Sequence, residues 1–286
     1  MALDQIDVDK IGEPQKEMTF LEHLEELRWH IIRSLAVIIS IGIVLYIFRG
    51  WLFDTVIFGP THPEFISYVL ICNLSESIGL GEQMCLTPPD FQKLAIGFAE
   101  PFIIAIKTSF MAGFIASFPY VFWEFWRFIS PGLYEKERKA TRGVVFICSF
   151  LFLAGVFFGY FIIAPFAVNF LAGFSIPGVE NTPTLSSYIN YMIMFTAPAG
   201  LIFELPIVVY FLSKIGLVTP ALMKQYRRHS IIIILMLAAL ITPPDVVTQL
   251  LIGIPLFFLY ELSIFISRWV ERDEKKKWEA FDKQAQ

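Results

Sequence analysis

The chain has 286 residues, of which 56% are hydrophobic and 17% charged, with 30 phenylalanines and a net charge of −4. This composition is too apolar for a water-soluble domain, and several apolar runs are long enough to span a bilayer. The first seventeen residues are polar and contain no apolar core, so they do not form a secretory signal peptide.

Six apolar segments predict an all-α fold, a polytopic membrane protein with six transmembrane helices. A cytoplasmic N-terminal tail (1–18) precedes the transmembrane domain (19–268), and a charged cytoplasmic tail (269–286) follows it. At 1.5 Å per residue the fifth segment is only about 21 Å long, against a hydrocarbon core of about 30 Å. The third is long and contains Pro165, so we expect it to tilt, kink or project from the membrane. The predicted spans are 29–48, 102–126, 143–171, 187–212, 229–242 and 246–266.

Basic residues alternate between the loops. The N-terminal flank, the loop after the second span, the loop after the fourth and the C-terminal tail are rich in lysine and arginine. The loops between them are poor in both; the first, about 49–101, has only Arg49 and Lys93 against six acids. Because cytoplasmic loops carry the excess of lysine and arginine, this pattern predicts that both termini are cytoplasmic.

An acidic helix start precedes the first span, in the stretch from Phe20 to Arg28. Its apolar residues recur at helical spacing, while Glu22, Glu25 and Glu26 lie elsewhere on the helical wheel. One helix is therefore expected to enter the membrane with carboxylates at its aqueous end. The alternative is a solvated helix start in which the acids only complement the helix dipole.

A second acidic feature lies in the basic loop after the second span. Pro131-Gly132 breaks the helix there, and Glu135 and Glu137 follow among lysines and arginines. The alternative is a solvated loop whose acids pair locally with its bases, each pair contributing about 1 kcal/mol or less.

Glu204 lies well inside the fourth span, between Pro198 and Pro206. A carboxylate in hydrocarbon costs about 2.5–3.5 kcal/mol on insertion scales, so it is a functional candidate that should face protein or water. Gln249 and Lys107 are potential partners, although Lys107 is close enough to the interface to snorkel. The alternative for Glu204 is a packing residue.

Two of the three cysteines, Cys72 and Cys85, share the first exported loop and are either bridged or two unrelated thiols. The four histidines show no metal-ligand spacing, and no soluble-enzyme motif is present. We therefore expect neither catalysis nor a cofactor or metal.

Four motifs together resemble the TatC family, the multispan component of the twin-arginine translocation system. The resemblance extends from about Phe20 to Arg268. It implies a cup-shaped, six-span receptor in the bacterial cytoplasmic (inner) membrane. The motifs are His23-Leu-Glu-Glu-Leu-Arg28, Phe128-Ile-Ser-Pro-Gly-Leu-Tyr-Glu-Lys-Glu-Arg138, Phe203-Glu-Leu-Pro206 and Leu240-Ile-Thr-Pro-Pro-Asp-Val-Val-Thr-Gln249.

The resemblance also implies roles for individual residues. Glu26 and Glu137 match the two cytoplasmic glutamates that engage the arginines of the signal peptide, with Phe128 beside them and Arg28 and Arg138 in the same motifs. A second group matches intramembrane or partner-binding positions: Glu204 (the buried glutamate), Pro60 (the loop proline) and Gln249. The implied partners are twin-arginine signal peptides of folded cargo, single-span TatA/TatB-type components, further copies of the chain and the lipid bilayer, with no nucleic acid.

The chemistry agrees with this resemblance, because two guanidinium groups are best recognised by planar bidentate carboxylates. One departure is the first exported loop, which is longer than is usual in the family. Two other functions stay open from the residues alone: a secondary transporter with Glu204 as its ion or proton site, and a structural membrane scaffold.

Overall fold

The computed structural model describes residues 20–77, 79, 85, 94–129, 141–174, 176–178, 183–241 and 246–285. These residues are predominantly helical, and the extended backbone among them forms one isolated bridge, between Leu94 and Thr184. The all-α prediction is therefore confirmed. Ten α-helices of six or more residues are numbered here: α1 Phe20–Ile47, α2 Ile66–Ser77, α3 Glu100–Ile129, α4 Thr141–Phe158, α5 Ala164–Gly173, α6 Leu185–Phe203, α7 Leu205–Lys214, α8 Pro220–Gln225, α9 Arg227–Ile241 and α10 Val246–Ala285.

Five helical stretches in the described residues are long and apolar enough to cross a membrane. They coincide with five of the six predicted spans. The predicted fifth span corresponds to α9, whose 15 residues rise only about 22 Å, too little for a full crossing without local thinning of the bilayer. The count of six spans stays a prediction. The five stretches are Glu22–Ile47, Glu100–Ile129, Gly143–Gly173, Leu185–Lys214 and Thr248–Lys276.

The last helix continues far beyond the predicted end of the sixth span. Helix α10 has 40 residues, so the segment predicted as a separate tail extends the same helix. It contains no proline or glycine after Pro255. An ion pair between Lys214 Nζ and Glu274 Oε1, 3.0 Å apart, joins the charged part of α10 to the end of α7.

Two of the long helical stretches are interrupted at prolines. A π-helical turn, Gly159–Ile163, separates α4 from α5 immediately before Pro165, which cannot donate a backbone hydrogen bond. The predicted irregularity of the third span is thus present. Glu204 similarly ends α6 and precedes α7, in which Pro206 is the second residue.

Glycines let two pairs of helices approach to backbone contact. A Cβ atom on Gly155 would lie 2.6 Å from the carbonyl oxygen of Ala199, so α4 and α6 cross where only glycine fits. Gly159 meets the backbone of the same helix one turn further on. Gly155 and Gly159 are four residues apart, the spacing of the small-residue motif at which membrane helices pack closely.

The second glycine contact joins α1 and α3. A Cβ atom on Gly113 would lie 2.8 Å from the backbone nitrogen of Gly42, so these two glycines face each other. The helices pack along much of their length. Their contact brings the beginning of α1 beside the end of α3, and it is there that the candidate site forms.

The buried core lies around α6 and the π turn. Phe195, Ile163 and Ile189 are almost fully buried there, and Leu256 of α10 packs on the same cluster. A smaller cluster between α3 and α4 contains Phe118 stacked on Phe152, with ring centroids 3.5 Å apart.

Substituting Gly155 by valine should lower the thermal stability of the purified protein. The added side chain must separate α4 from α6, and overpacking of this kind costs about 1–3 kcal/mol. The measurement is the melting temperature in detergent. Gly143→Ala is the matched control, because nothing lies within 4 Å of a Cβ atom at that position of α4. Equal melting temperatures for Gly155→Val and wild type would contradict the close crossing.

Candidate functional site

A cavity of about 340 Å³ opens between the first turns of α1 and the last turns of α3. Because α1 begins and α3 ends at this side, the predicted orientation makes it the cytoplasmic side. The lining is polar and aromatic, with one acid, one histidine and two arginines. These residues are Glu26, Trp29, His30, Arg33 and Arg127.

Glu26 is the acid of this cavity, and 35% of its side chain is exposed. Its neighbour Glu25 is more exposed and pairs with Arg28, whose Nη2 lies 3.3 Å from Glu25 Oε1. Arg28, assigned to signal binding from the sequence, is therefore held by Glu25 on the outer face. Glu26 is left as the carboxylate that faces the cavity.

A buried histidine–glutamate pair lies behind Glu26. His30 Nδ1 hydrogen-bonds Glu124 Oε2, and the Tyr120 hydroxyl donates to Glu124 Oε1 at 2.8 Å. The other ring nitrogen of His30, Nε2, lies 3.9 Å from Glu26 Oε1. The imidazole thus bridges a buried carboxylate, 1% exposed, and the one that faces the cavity.

Aromatic rings surround the same end of the helix pair. Phe128, at the end of α3, stacks on the ring of His23 with centroids 4.4 Å apart and meets His30 edge-on at 6.0 Å. The Arg127 guanidinium lies 5.7 Å from the centre of the Trp123 ring. Phe128 therefore lies beside the cavity through its contact with His30.

Glu137 and Arg138, the other two residues assigned to signal binding, lie outside the described residues. Of the five predicted signal-binding residues, the structure thus brings together Glu26, Arg28 and Phe128 at one end of the α1–α3 pair. The sequence motif that contains Glu137 continues directly from Phe128.

The Glu204 carboxylate is buried at the junction of α6 and α7. Within the described part of the chain, neither of its oxygens has a partner with hydrogen-bond geometry. The Cys148 thiol and the backbone of Phe152 lie near the carboxylate without meeting those criteria. A buried group without fixed partners does not contribute a hydrogen bond to folding.

The two partners suggested for Glu204 are engaged elsewhere. Gln249 Nε2 donates to the carbonyl oxygen of Leu235 at 3.1 Å, joining α10 to α9. Lys107 Nζ donates to Asn190 Oδ1 at 2.5 Å, joining α3 to α6. The sequence did not predict these two contacts, because each depends on how two neighbouring helices are rotated about their axes.

Pro60 lies at the opposite end of the molecule, in a short 3₁₀ turn of Gly59–Thr61, and is buried. Tyr68 donates a hydrogen bond to the Pro60 carbonyl oxygen at 2.8 Å, and burial raises the pKa of Tyr68 to about 12. Tyr160 and Tyr188 donate to the carbonyl oxygens of Val56 and Ile57. Three tyrosines therefore fix the backbone from 56 to 60.

The loop between α1 and α3 contains a disulfide. Cys72 of α2 is bonded to Cys85, 13 residues further along the chain, and Cys148 is a free, buried cysteine. Of the two alternatives for these cysteines, the structure has the bridge. In the described residues no group of three or more histidines, cysteines and acids has the geometry to hold a metal ion.

The pairing of His30 with Glu124 is the part of the site that the sequence analysis missed. The two residues are 94 positions apart, so no local motif connects them. Two signals were available: a carboxylate inside the predicted second span, and a histidine one helical turn after Glu26.

The family model described as "Sec-independent protein translocase protein (TatC)" matches residues 22–255 of the chain. A TatC from Blattabacterium sp. subsp. Periplaneta americana is 40% identical over 262 residues, covering 90% of this chain and 98% of the relative. A TatC from Aquifex aeolicus is 35% identical, covering 91% of this chain and 98% of the relative.

The fold is similar to two solved structures whose titles describe a twin-arginine translocase receptor, TatC. The first has a TM-score of 0.63 at 32% sequence identity and covers 87% of this chain and all of the other. The second, determined in DDM, has a TM-score of 0.67 at 32% identity and covers 86% and 99%.

Replacement of Glu204 by glutamine should leave stability nearly unchanged, because no described group holds either oxygen. If the carboxylate serves transport, export of a twin-arginine reporter should nevertheless fall for both Glu204→Gln and Glu204→Ala. The measurements are the melting temperature in detergent and the exported fraction in cells. Cys148→Ala removes the neighbouring thiol and serves as the control. Full export by both Glu204 variants would leave the residue as packing only.

Proposed function

The chain belongs to the TatC family of Sec-independent protein translocase proteins, and from that premise we propose that it is the core receptor for twin-arginine signal peptides. It is a multi-pass membrane protein of a transport family and not an enzyme. In this proposal the receptor binds the signal peptides of folded cargo at the cytoplasmic face and nucleates the translocation complex.

The observation that carries the proposal is the position of Glu26. Its carboxylate faces a polar cavity at the end of two long apolar helices, while the neighbouring Glu25 is paired with Arg28. A guanidinium group binds best to a planar carboxylate that accepts two parallel N–H bonds. Glu26 supplies such an acceptor where a peptide entering from the aqueous side would meet it.

Glu137 is proposed as the carboxylate for the second arginine. Its motif follows directly from Phe128, which lies beside the Glu26 cavity. Arg28 and Arg138, from the same two motifs, are proposed to belong to the signal-binding region, and Phe128 to pack its ring on the aliphatic part of an arginine side chain.

We further propose that single-span TatA/TatB-type components and further copies of the chain bind the apolar helix surfaces. Helices α9 and α10 expose many large apolar side chains. In hydrocarbon, helices associate through close packing of such surfaces. The exposed residues include Ile232, Ile233, Met236, Ile254, Phe258 and Phe265.

The proposed location is the bacterial cytoplasmic membrane, with both termini in the cytoplasm. Support comes from the alternation of basic and non-basic loops. A disulfide in the loop between α1 and α3 also agrees with an exported position for that loop, since cytosolic thiols are kept reduced.

The binding prediction is that Glu26→Gln and Glu137→Gln each weaken the affinity for a twin-arginine peptide about tenfold to a hundredfold. The reason is that a charge-assisted hydrogen bond contributes about 1.5–3 kcal/mol. A twin-lysine peptide, which lacks the bidentate fork, should be affected much less. The measurement is peptide affinity in nanodiscs for wild type, both single variants and the double variant.

Glu25→Gln is the matched control for this experiment, because it removes an equal charge from the adjacent position, where the carboxylate pairs with Arg28. Its effect should be small. Binding by the Glu26/Glu137 double variant as tight as that of wild type would show that these residues do not hold the arginines.

The topology prediction concerns labelling from outside the cell. Cysteines introduced at 177, between α5 and α6, should react with an impermeant thiol reagent, since that loop contains no lysine or arginine. A cysteine at 224 in α8 should react only after permeabilisation. The reverse pattern would overturn the orientation and with it a cytoplasmic Glu26.

A further inference from the structure

The cavity that contains Glu26 also contains two positive charges of the protein itself. Arg33 and Arg127 line it together with Glu26. An arginine of the receptor competes with an arginine of a ligand for the same carboxylate, since both present the same fork of donors. A cavity with this lining binds an incoming guanidinium well only if its own arginines are directed to other acids.

Glu124 is the acid placed to do this. It is almost completely buried, and His30, its hydrogen-bond partner, lines the same cavity as Arg33. A buried carboxylate needs cationic or hydrogen-bonding partners, and Glu124 has His30 and Tyr120. Because the attraction between opposite charges acts without direct contact, the negative charge of Glu124 draws Arg33 away from Glu26.

His30 lies between Glu124 and Glu26 and connects the two carboxylates. Its Nδ1 is hydrogen-bonded to Glu124, which fixes the plane of the ring, and its Nε2 then faces Glu26 at 3.9 Å. An imidazole with both nitrogens protonated donates to Glu124 and carries a positive charge beside Glu26, whereas in a neutral ring only one nitrogen is a donor. In either state the ring occupies the inner side of Glu26, so the Glu26 carboxylate is kept toward the cavity mouth.

We propose that Glu124, acting through His30 and on Arg33, is a positioning residue that keeps Glu26 available for a signal arginine. This inference rests on the proposed function and adds to it a residue outside the two-glutamate pair. Without the Glu124 charge, Arg33 turns to Glu26 and occupies the acceptor from within the protein. Glu124 is thus a specificity determinant that never touches the ligand.

The test is a set of substitutions measured by affinity for a synthetic twin-arginine peptide, with full-length protein in nanodiscs. Glu124→Gln removes the charge and keeps acceptor and donor atoms for Tyr120 and His30. It should weaken binding about fivefold to thirtyfold, an effect smaller than the loss of Glu26 itself. Glu100→Gln is the matched control, because Glu100 is on the same helix but caps backbone N–H groups at the opposite end.

Two further variants separate positioning from a purely structural role. Arg33→Gln introduced into the Glu124→Gln protein should restore most of the lost affinity, because it removes the competitor for Glu26. In a Glu26→Gln background, Glu124→Gln should change affinity by less than about twofold, since the two residues act on one contact. The proposal would be overturned if Arg33→Gln did not restore the affinity lost in Glu124→Gln and if Glu124→Gln still lowered the affinity in the Glu26→Gln background. It would also be overturned if Glu124→Gln bound the peptide as tightly as wild type.

The same measurements distinguish this inference from the proposed function. In one outcome, wild type binds the twin-arginine peptide, Glu26→Gln binds it more weakly and Glu124→Gln binds it like wild type. The receptor function would then stand, and the proposed role of Glu124 would be wrong. Wild-type protein that binds no twin-arginine peptide would overturn both.

Discussion

The crossing of α4 and α6 at Gly155 and Gly159 is the contact from which the helical arrangement follows. In hydrocarbon there is little hydrophobic gain from burying one apolar side chain against another, so helices associate through close packing and backbone approach. The chain exposes many phenylalanine, isoleucine and leucine side chains, as a lipid-facing surface should. Two glycine contacts, one between α4 and α6 and one between α1 and α3, provide the close approach.

The second of these contacts has a direct effect on the site. Gly42 and Gly113 meet well inside the apolar region, and the two helices then run together to the aqueous edge. There they place Glu26 and Glu124, on different helices, on opposite sides of the His30 ring. An apolar packing contact thus fixes the separation of two carboxylates several helical turns away.

Hydropathy and helical spacing were sufficient to predict the helical fold, five of the long apolar stretches and the acidic start of α1. The sequence could not predict the partner of His30, the interactions of Gln249 and Lys107, or the tyrosine hydrogen bonds to residues 56–60, because each depends on helix rotation and long-range contact. The length of α10 was also missed, since hydropathy detects where an apolar run ends and not where a helix ends.

The disulfide between Cys72 and Cys85 bears on when the protein matures as well as on its shape. Disulfides persist in oxidising compartments and are rare in the cytosol. On the proposed topology, the bond between these cysteines therefore forms only after their loop has crossed the membrane. On that topology, the oxidised fraction of the protein would report how many molecules have this loop outside the cytoplasm.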